Sequence, residues 1–168
     1  MVSVPDEQTA RTPDQSGLDT FTPLIGQTAK GCWLGYGSVL FLEFGDRIGP
    51  ETLQYHRSGE WSLWCDQILW RIEQQDRVLA GSEDDRSTME AAIDQINGHV
   101  LMSGETCGST GDSILRFNDD LVLRTFVLTS EEDARWHFKH GDAAYTVLGP
   151  SFTTSPTADS LADKNTER

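Results

Sequence analysis

The stretch from 60 to 73 constrains the fold more than any other part of the sequence. It holds two apolar sets, the first on odd positions and the second on even positions: Trp61 and Leu63, then Ile68, Trp70 and Ile72. Because side chains along a β-strand alternate between two faces, a single flat strand would expose one of these sets to solvent. The sequence therefore predicts a bulge or a break near residues 65–66.

A second β-strand pattern precedes this stretch. Residues 38–44 are rich in β-branched and aromatic side chains and end at a Gly-Asp turn signal. Residues 29–34 are a candidate hairpin partner, joined through Gly35-Tyr36-Gly37, because glycine accepts the positive φ angles of tight turns. Further strand patterns, separated by turn residues, follow at residues 99–105, 113–117, 121–128, 136–139 and 144–147.

One amphipathic helix is expected between the strands. Four apolar residues recur at the i, i+3, i+4 and i+7 positions of a helix: Met89, Ala92, Ile93 and Ile96. We expect Ser87 and Glu90 to form a capping box at its start and Gly98 to provide the left-handed cap at its end. The acidic residues at 83–85 suit the positive end of its dipole.

These patterns predict an α+β fold: mainly antiparallel β-sheet, or a partly closed barrel, of about eight strands with one amphipathic helix. The chain of 168 residues is long enough for one domain with a core, which we expect to span residues 21–150. Residues 1–20 and 151–168 offer few apolar side chains to bury. We therefore predict disordered N-terminal and C-terminal tails.

The chain is acidic, with 27 Asp and Glu against 13 Lys and Arg. Residues 21–150 hold 20 acidic and 10 basic residues, a net charge of −10, so most of the excess belongs to the predicted domain. A negative surface repels phosphate, so nucleic acids and anionic membranes are disfavoured as partners and a basic protein is favoured. Acidity that serves only solubility is the alternative.

The cysteines and apolar runs bear on the compartment. Cys32, Cys65 and Cys107 are widely spaced and match neither a disulfide framework nor a zinc knuckle. The first residues lack a basic region followed by an apolar one, and no apolar run approaches the roughly 18 residues of a membrane span. We therefore expect a cytoplasmic protein.

No motif of enzyme chemistry stands out. The sequence lacks a G-x-S-x-G nucleophile elbow and a phosphate-binding loop, so we predict no catalytic residue and no cofactor. His137 and His140 are three apart in an expected strand and so lie on opposite faces, which argues against a shared metal ion. The acidic residues at 83–85 lack the alternating ligands and the glycine of a calcium loop.

Four residues are candidates for binding: Trp64, Glu83, Asp84 and Asp85. The parity of Trp64 points it away from Trp61, so it is either buried by the predicted break or displayed on the second face. A displayed aromatic side chain beside acidic residues would suit a binding site, and we expect the two to lie close together. Core packing for Trp64 and helix-start charge for the acidic residues are the alternatives.

Several motifs together resemble a group of small bacterial β-rich domains for which no activity is known. The resemblance rests on Gly37-Ser38 to Phe44-Gly45, Gly59-Glu60-Trp61-Ser62-Leu63-Trp64, Trp70-Arg71, Gly81-Ser82-Glu83-Asp84 and Trp136. It covers most of residues 24–150, implies a β-rich fold and supplies no catalytic residue. In size and charge alone, the chain also resembles immunity proteins that neutralise toxins.

Two main functional hypotheses follow. The first is an acidic interaction module, of the immunity type, that holds a basic partner. The second is an enzyme or small-molecule binder whose pocket is built from residues distant in sequence. A purely structural accessory domain is a third reading, and the sequence leaves the oligomeric state open.

Overall fold

A computed structural model describes most of the predicted domain and a short segment beyond it. The described residues are 21–47, 59–65, 68–107, 111–128, 136–140, 143–148 and 151–154. They form eleven strands in two antiparallel sheets, together with one α-helix. The α+β class and the mainly antiparallel pairing are confirmed, with more strands than the eight or so predicted.

The first sheet has six strands. They are β1 (Trp33–Leu34), β2 (Leu40–Arg47), β3 (Gly59–Cys65), β9 (Trp136–His140), β10 (Ala143–Leu148) and β11 (Ser151–Thr154). They lie side by side in the order β1-β2-β3-β9-β10-β11, and each neighbouring pair is antiparallel. This order ends in two edge strands, so the sheet is open and the barrel alternative is not found.

The second sheet has five strands. They are β4 (Leu69–Gln74), β5 (Arg77–Gly81), β6 (Leu101–Cys107), β7 (Asp112–Phe117) and β8 (Leu121–Phe126). Their order is β5-β4-β8-β7-β6, again antiparallel throughout. The helix α1 (Arg86–Asp94) follows β5 in the chain and packs against both β1 and β5, which are edge strands of different sheets.

The predicted break near residues 65–66 is the point where the chain changes sheets. β3 ends at Cys65 in the first sheet, and β4 begins at Leu69 in the second. Leu63 and Trp70 are both buried, although they lie at positions of opposite parity. The change of sheet therefore lets both apolar sets face one core.

That core lies between the two sheets and includes the start of the described chain. The rings of Phe44 and Phe117, one from each sheet, stack with centroids 6.4 Å apart. Phe21 is fully buried and meets Trp136 edge to face at 5.9 Å.

The segment after Phe21 joins the two sheets through the main chain. Gly26 N–H donates to Leu101 O and Ala29 N–H to His99 O, both at 2.8 Å, at the start of β6. Lys30 N–H donates to Glu43 O at 2.7 Å in β2. Residues 26–30 therefore bond to both sheets at once.

The start of α1 differs from the predicted capping box. Asp85, and not Ser87, is the N-cap residue, and its carboxylate accepts a hydrogen bond from Thr88 N–H. An Asp N-cap satisfies a helix-start N–H as Ser does and adds a negative charge at the positive end of the helix dipole. The predicted apolar face is confirmed, because Met89, Ala92 and Ile93 are buried.

The C-terminal boundary also needs correction. β11 pairs with β10 over four residues, from Ser151 opposite Leu148 to Thr154 opposite Tyr145. The domain therefore extends at least to residue 154, past the boundary predicted at residue 150. The remaining tail residues, 1–20 and 155–168, lie outside the described part of the chain. None of the described helices has the length and apolar character of a membrane span.

We expect the two faces of α1 to differ sharply in their tolerance of charge. Ile93→Asp places a carboxylate in the core and should lower the unfolding free energy by several kcal/mol. Ala91→Asp introduces the same side chain on the exposed face of the same helix and should cost about 0.5–1 kcal/mol. Denaturant unfolding of both variants measures the difference. Equal losses would mean that the buried face of α1 has been misassigned.

The role of β11 can be tested by shortening the chain. A chain that ends at residue 150 loses the main-chain pairing of β11 with β10, whereas a chain that ends at residue 154 keeps it. We expect the shorter chain to melt a few degrees lower than the longer one, because it loses several hydrogen bonds. Identical melting temperatures would show that β11 adds nothing to stability.

Candidate binding surface

An exposed tyrosine stands at the tip of the β1–β2 hairpin. Tyr36 is 96% exposed, the most exposed of the large apolar side chains described. The turn is closed by Gly35 N–H donating to Val39 O at 2.8 Å and Val39 N–H donating to Tyr36 O at 3.3 Å. Gly37 has a φ of +62°, which glycine adopts without strain. The hairpin therefore presents Tyr36 on a hydrogen-bonded turn.

The predicted acidic residues form the turn that leads into α1. Asp84 Oδ2 accepts a hydrogen bond from Gly81 N–H at 2.8 Å, which closes the turn. Asp85 accepts from Ser87 Oγ, Thr88 Oγ1 and Thr88 N–H, and these hydrogen bonds lower the pKa of Asp85 to about 2. The side chains of all three, Glu83, Asp84 and Asp85, are exposed.

The hairpin tip and the acidic turn are held side by side. Arg86 donates from Nη2 to Leu34 O and from Nη1 to Gly35 O, both at 3.1 Å, so the first residue of α1 is tied to the hairpin. Its Nε lies 2.7 Å from Glu90 Oε1 in an ion pair. We call the surface formed by residues 35–37 and 83–85 the hairpin–helix shoulder.

The buried residue Trp70 forms hydrogen bonds to both of these segments. Its indole Nε1–H donates to Ser38 O, at the hairpin, at 2.7 Å. Its backbone N–H donates to Ser82 Oγ at 3.2 Å, and its backbone oxygen accepts from Ser82 N–H at 2.9 Å, next to the acidic turn. Because Trp70 is only 2% exposed, water cannot compete readily for these groups, and the shoulder rests on a rigid base.

Trp64 lies elsewhere, on the outer face of the first sheet. Four rings in adjacent strands form a row across this face: Trp33, Phe41, Trp64 and His137. The Trp64 ring stacks on Phe41 with centroids 6.0 Å apart and on His137 at 5.0 Å. Trp64 thus lies on the face of β3 opposite to that of the buried Leu63. The side chain is half-buried, since its ring faces are covered by these two neighbours.

The hairpin that is tied to the helix start carries Tyr36 at its tip. Arg86 connects that turn to the end of β1, whereas Trp64 is on β3, two strands further across the sheet. A role for Trp64 in binding stays a prediction. The sequence did contain a signal for Tyr36, because an aromatic residue between two glycines in a hairpin connection has little to pack against.

Glu43 is the one buried carboxylate among the described residues. Its Oε2 accepts hydrogen bonds from Ser62 Oγ at 2.5 Å and from Gly59 N–H at 2.9 Å. Burial raises its pKa, and the hydrogen bonds, including one from the Trp33 side chain, only partly oppose this effect. These contacts lie where the β2–β3 register shifts, at a bulge in which Gly45 has a φ of +76°. Glu43 thus supplies an acceptor to Gly59 at a break in the strand ladder.

Glu43, Ser62 and two histidines of the described residues carry groups suited to acid–base or metal chemistry. Glu43 and Ser62 are 3% and 7% exposed and bond to groups of their own sheet. No group of three His, Cys, Asp or Glu side chains in these ranges could hold a metal ion. His140 stacks on Trp61 and His137 on Trp64, at separate positions along the β3–β9 pair. The absence of a catalytic residue and of a cofactor stays a prediction.

Comparison with other proteins adds no relative to this description. No protein-family model matches the chain, and no match was found among curated proteins or solved structures. The resemblance to small bacterial β-rich domains therefore remains one of motifs.

The buried carboxylate makes stability depend on pH. Because folding raises the pKa of Glu43, the folded chain binds this proton more tightly than the unfolded chain does. Its contribution to stability is full below the unfolded pKa of about 4.3 and is lost as the pH rises through the folded pKa. Glu43→Gln cannot ionise, so the unfolding free energy of the variant minus that of the parent should increase between pH 4 and neutral pH.

This free-energy difference should increase by about 1.4 kcal/mol for each unit by which folding raises the pKa of Glu43. Denaturant unfolding of both proteins across this pH range measures it. A difference that stays constant with pH would contradict the raised pKa. A difference that falls as the pH rises would mean that the carboxylate is held ionised.

Proposed function

We propose that this protein is an acidic interaction module that binds a basic partner protein at the hairpin–helix shoulder. The observation that carries the proposal is Tyr36, a 96% exposed aromatic side chain on a hydrogen-bonded hairpin turn. Tyrosine buries a large area on binding, loses little side-chain entropy and is common among the residues that dominate binding energy. The rigid base under the hairpin lowers the ordering cost of association.

The charge beside Tyr36 indicates which partner would bind. Three exposed carboxylates stand at the neighbouring turn, and the cation closest to them in sequence, Arg86, is paired with Glu90 and with the hairpin carbonyls. The acidic turn therefore keeps its negative character. Attraction between this turn and a basic surface would speed encounter, and contact with Tyr36 would slow dissociation.

A more specific form of this proposal is that the protein is of the immunity type and holds a basic toxin. Size and charge are its only support. We place the module in the cytoplasm because its three cysteines are widely spaced and match no disulfide framework, as is usual in a reducing compartment. Burial raises the pKa of Cys32 to about 12, so this thiol stays protonated and inert. We assign the cysteines no part in binding.

The test separates the aromatic contact from the charge. Tyr36→Ala removes the ring, and Glu83→Gln with Asp84→Asn removes two charges while Asp85 continues to cap the helix. The matched controls are Val78→Ala, an exposed apolar side chain elsewhere, and Asp76→Asn with Asp120→Asn, two exposed acids in hairpin turns. Proteins retained from a cell extract at low salt are quantified by mass spectrometry for each variant.

A basic protein that both shoulder variants lose and both controls retain is then measured by surface binding. We expect Tyr36→Ala to raise the dissociation rate about tenfold or more, because a central tyrosine contributes on the order of 2 kcal/mol. Glu83→Gln with Asp84→Asn should mainly slow association and weaken its salt dependence. If the parent, shoulder variants and controls all retain the same proteins, this surface is not the binding site.

A further inference from the structure

Three arginines occupy the outer face of the second sheet. They lie on its three inner strands, and each is flanked in sequence by buried residues that face the core: Arg71 on β4, Arg124 on β8 and Arg116 on β7. Arg71 and Arg124 are direct cross-strand partners, and Arg116 lies opposite Val122, two residues from Arg124. Arg71 and Arg116 therefore each start within roughly 5–8 Å of Arg124, which lies on the strand between them.

A carboxylate holds two of these arginines in place. Like charges directly opposite one another in a sheet repel, but Glu73 accepts hydrogen bonds from both. Its Oε1 lies 2.6 Å from Arg71 Nε and 3.1 Å from Arg124 Nε. Arg71 also lies over the ring of Phe126, with its guanidinium carbon 5.5 Å from the ring centroid. These contacts fix the direction of the guanidinium groups before any ligand arrives.

The arginine residues of this face retain unused donors, beside carboxylates that already accept hydrogen bonds. Each guanidinium carries five N–H groups. Within the described part of the chain, every hydrogen bond of Arg124 leaves from Nε, so its two terminal nitrogens remain available. The other carboxylates of the face are engaged, since Glu105 accepts from Arg116 Nη2 at 3.0 Å and Asp112 accepts from Val127 N–H at 2.7 Å.

We propose that this arginine face, formed by Arg71, Arg124 and Arg116 around Glu73, binds an acidic segment of a partner protein. Guanidinium groups recognise carboxylates through paired hydrogen bonds, and a sheet face suits an extended segment with carboxylates spaced along it. The side chains of Arg71, Arg116 and Arg124 are 43%, 43% and 31% exposed, so a ligand can reach them. The proposal does not depend on the function assigned to the hairpin–helix shoulder.

The acidity of the rest of the chain disfavours a long polyanion, such as nucleic acid, more than a short acidic segment. A net charge of −14 repels a duplex that carries one phosphate charge per about 1.7 Å. Screening limits such effects to about 8 Å at physiological salt, so a short peptide on the arginine face responds mainly to the local guanidinium groups. If this acidic protein binds an acidic peptide, the binding therefore reflects contacts with the arginine face and not an attraction between opposite net charges.

The experiment uses the full chain and a fluorescein-labelled hexaglutamate peptide, followed by fluorescence anisotropy at physiological salt. Arg124→Gln and Arg116→Gln remove donors from the face. Arg77→Gln makes the same charge change at an exposed arginine in the turn end of β5, outside the arginine face. Hexaglutamine, an oligothymidine of similar length and inorganic phosphate serve as alternative ligands. The melting temperature of each variant confirms that it is folded.

We expect the parent to bind hexaglutamate but not hexaglutamine. The dissociation constant should rise about tenfold in Arg124→Gln and in Arg116→Gln, and stay within about twofold in Arg77→Gln. The proposal fails if the parent does not bind hexaglutamate, or if all three variants weaken equally. Tighter binding of oligothymidine or of free phosphate would assign the face to those ligands instead. Self-association of the parent that is lost in Arg124→Gln would assign it to a second copy of this chain.

Discussion

The arrangement of the hairpin–helix shoulder depends on the hydrogen bonds made by the buried residue Trp70. A buried N–H group without an acceptor is costly, and the acceptor for Trp70 is a main-chain oxygen of the β1–β2 hairpin in the other sheet. The backbone of the same residue holds Ser82, which precedes the acidic turn. One residue therefore sets the distance between the two sheets at this edge and the position of both halves of the hairpin–helix shoulder. The helix start, the turn and the hairpin could not shift independently without breaking one of these bonds.

Much of this fold could be predicted from sequence because its signals are local. The parity change between Leu63 and Trp70 marks the change of sheet, and the spacing of Met89, Ala92 and Ile93 identifies the buried face of α1. Both signals come from alternation or periodicity within about ten residues, which one sequence displays directly.

The errors arose where the outcome depends on partners distant in sequence. β11 has few apolar residues and is a strand because β10 lies beside it, which its own composition does not reveal. The surroundings of Trp64 depend on distant residues in the same way. Parity points Trp64 away from Trp61, but only the strand order shows that Phe41 and His137 cover its ring. The acidic residues were placed correctly at the helix start, yet their aromatic neighbour comes from a hairpin some fifty residues earlier, joined through Arg86.

The main-chain bonds made by residues 26–30 have a consequence for the order of folding during synthesis. These residues require acceptors and donors at residues 98–101, which leave the ribosome about seventy residues later. At roughly 5–20 residues per second, the N-terminal segment waits on the order of 4–14 s before its partners exist. During that interval Phe21 lacks its packing partner Trp136, and the first sheet lacks its later strands. Neither sheet can therefore reach its final packing from the first half of the chain alone. The two sheets therefore pack together only after residues 26–30, which are synthesised early, have formed their hydrogen bonds to residues 98–101.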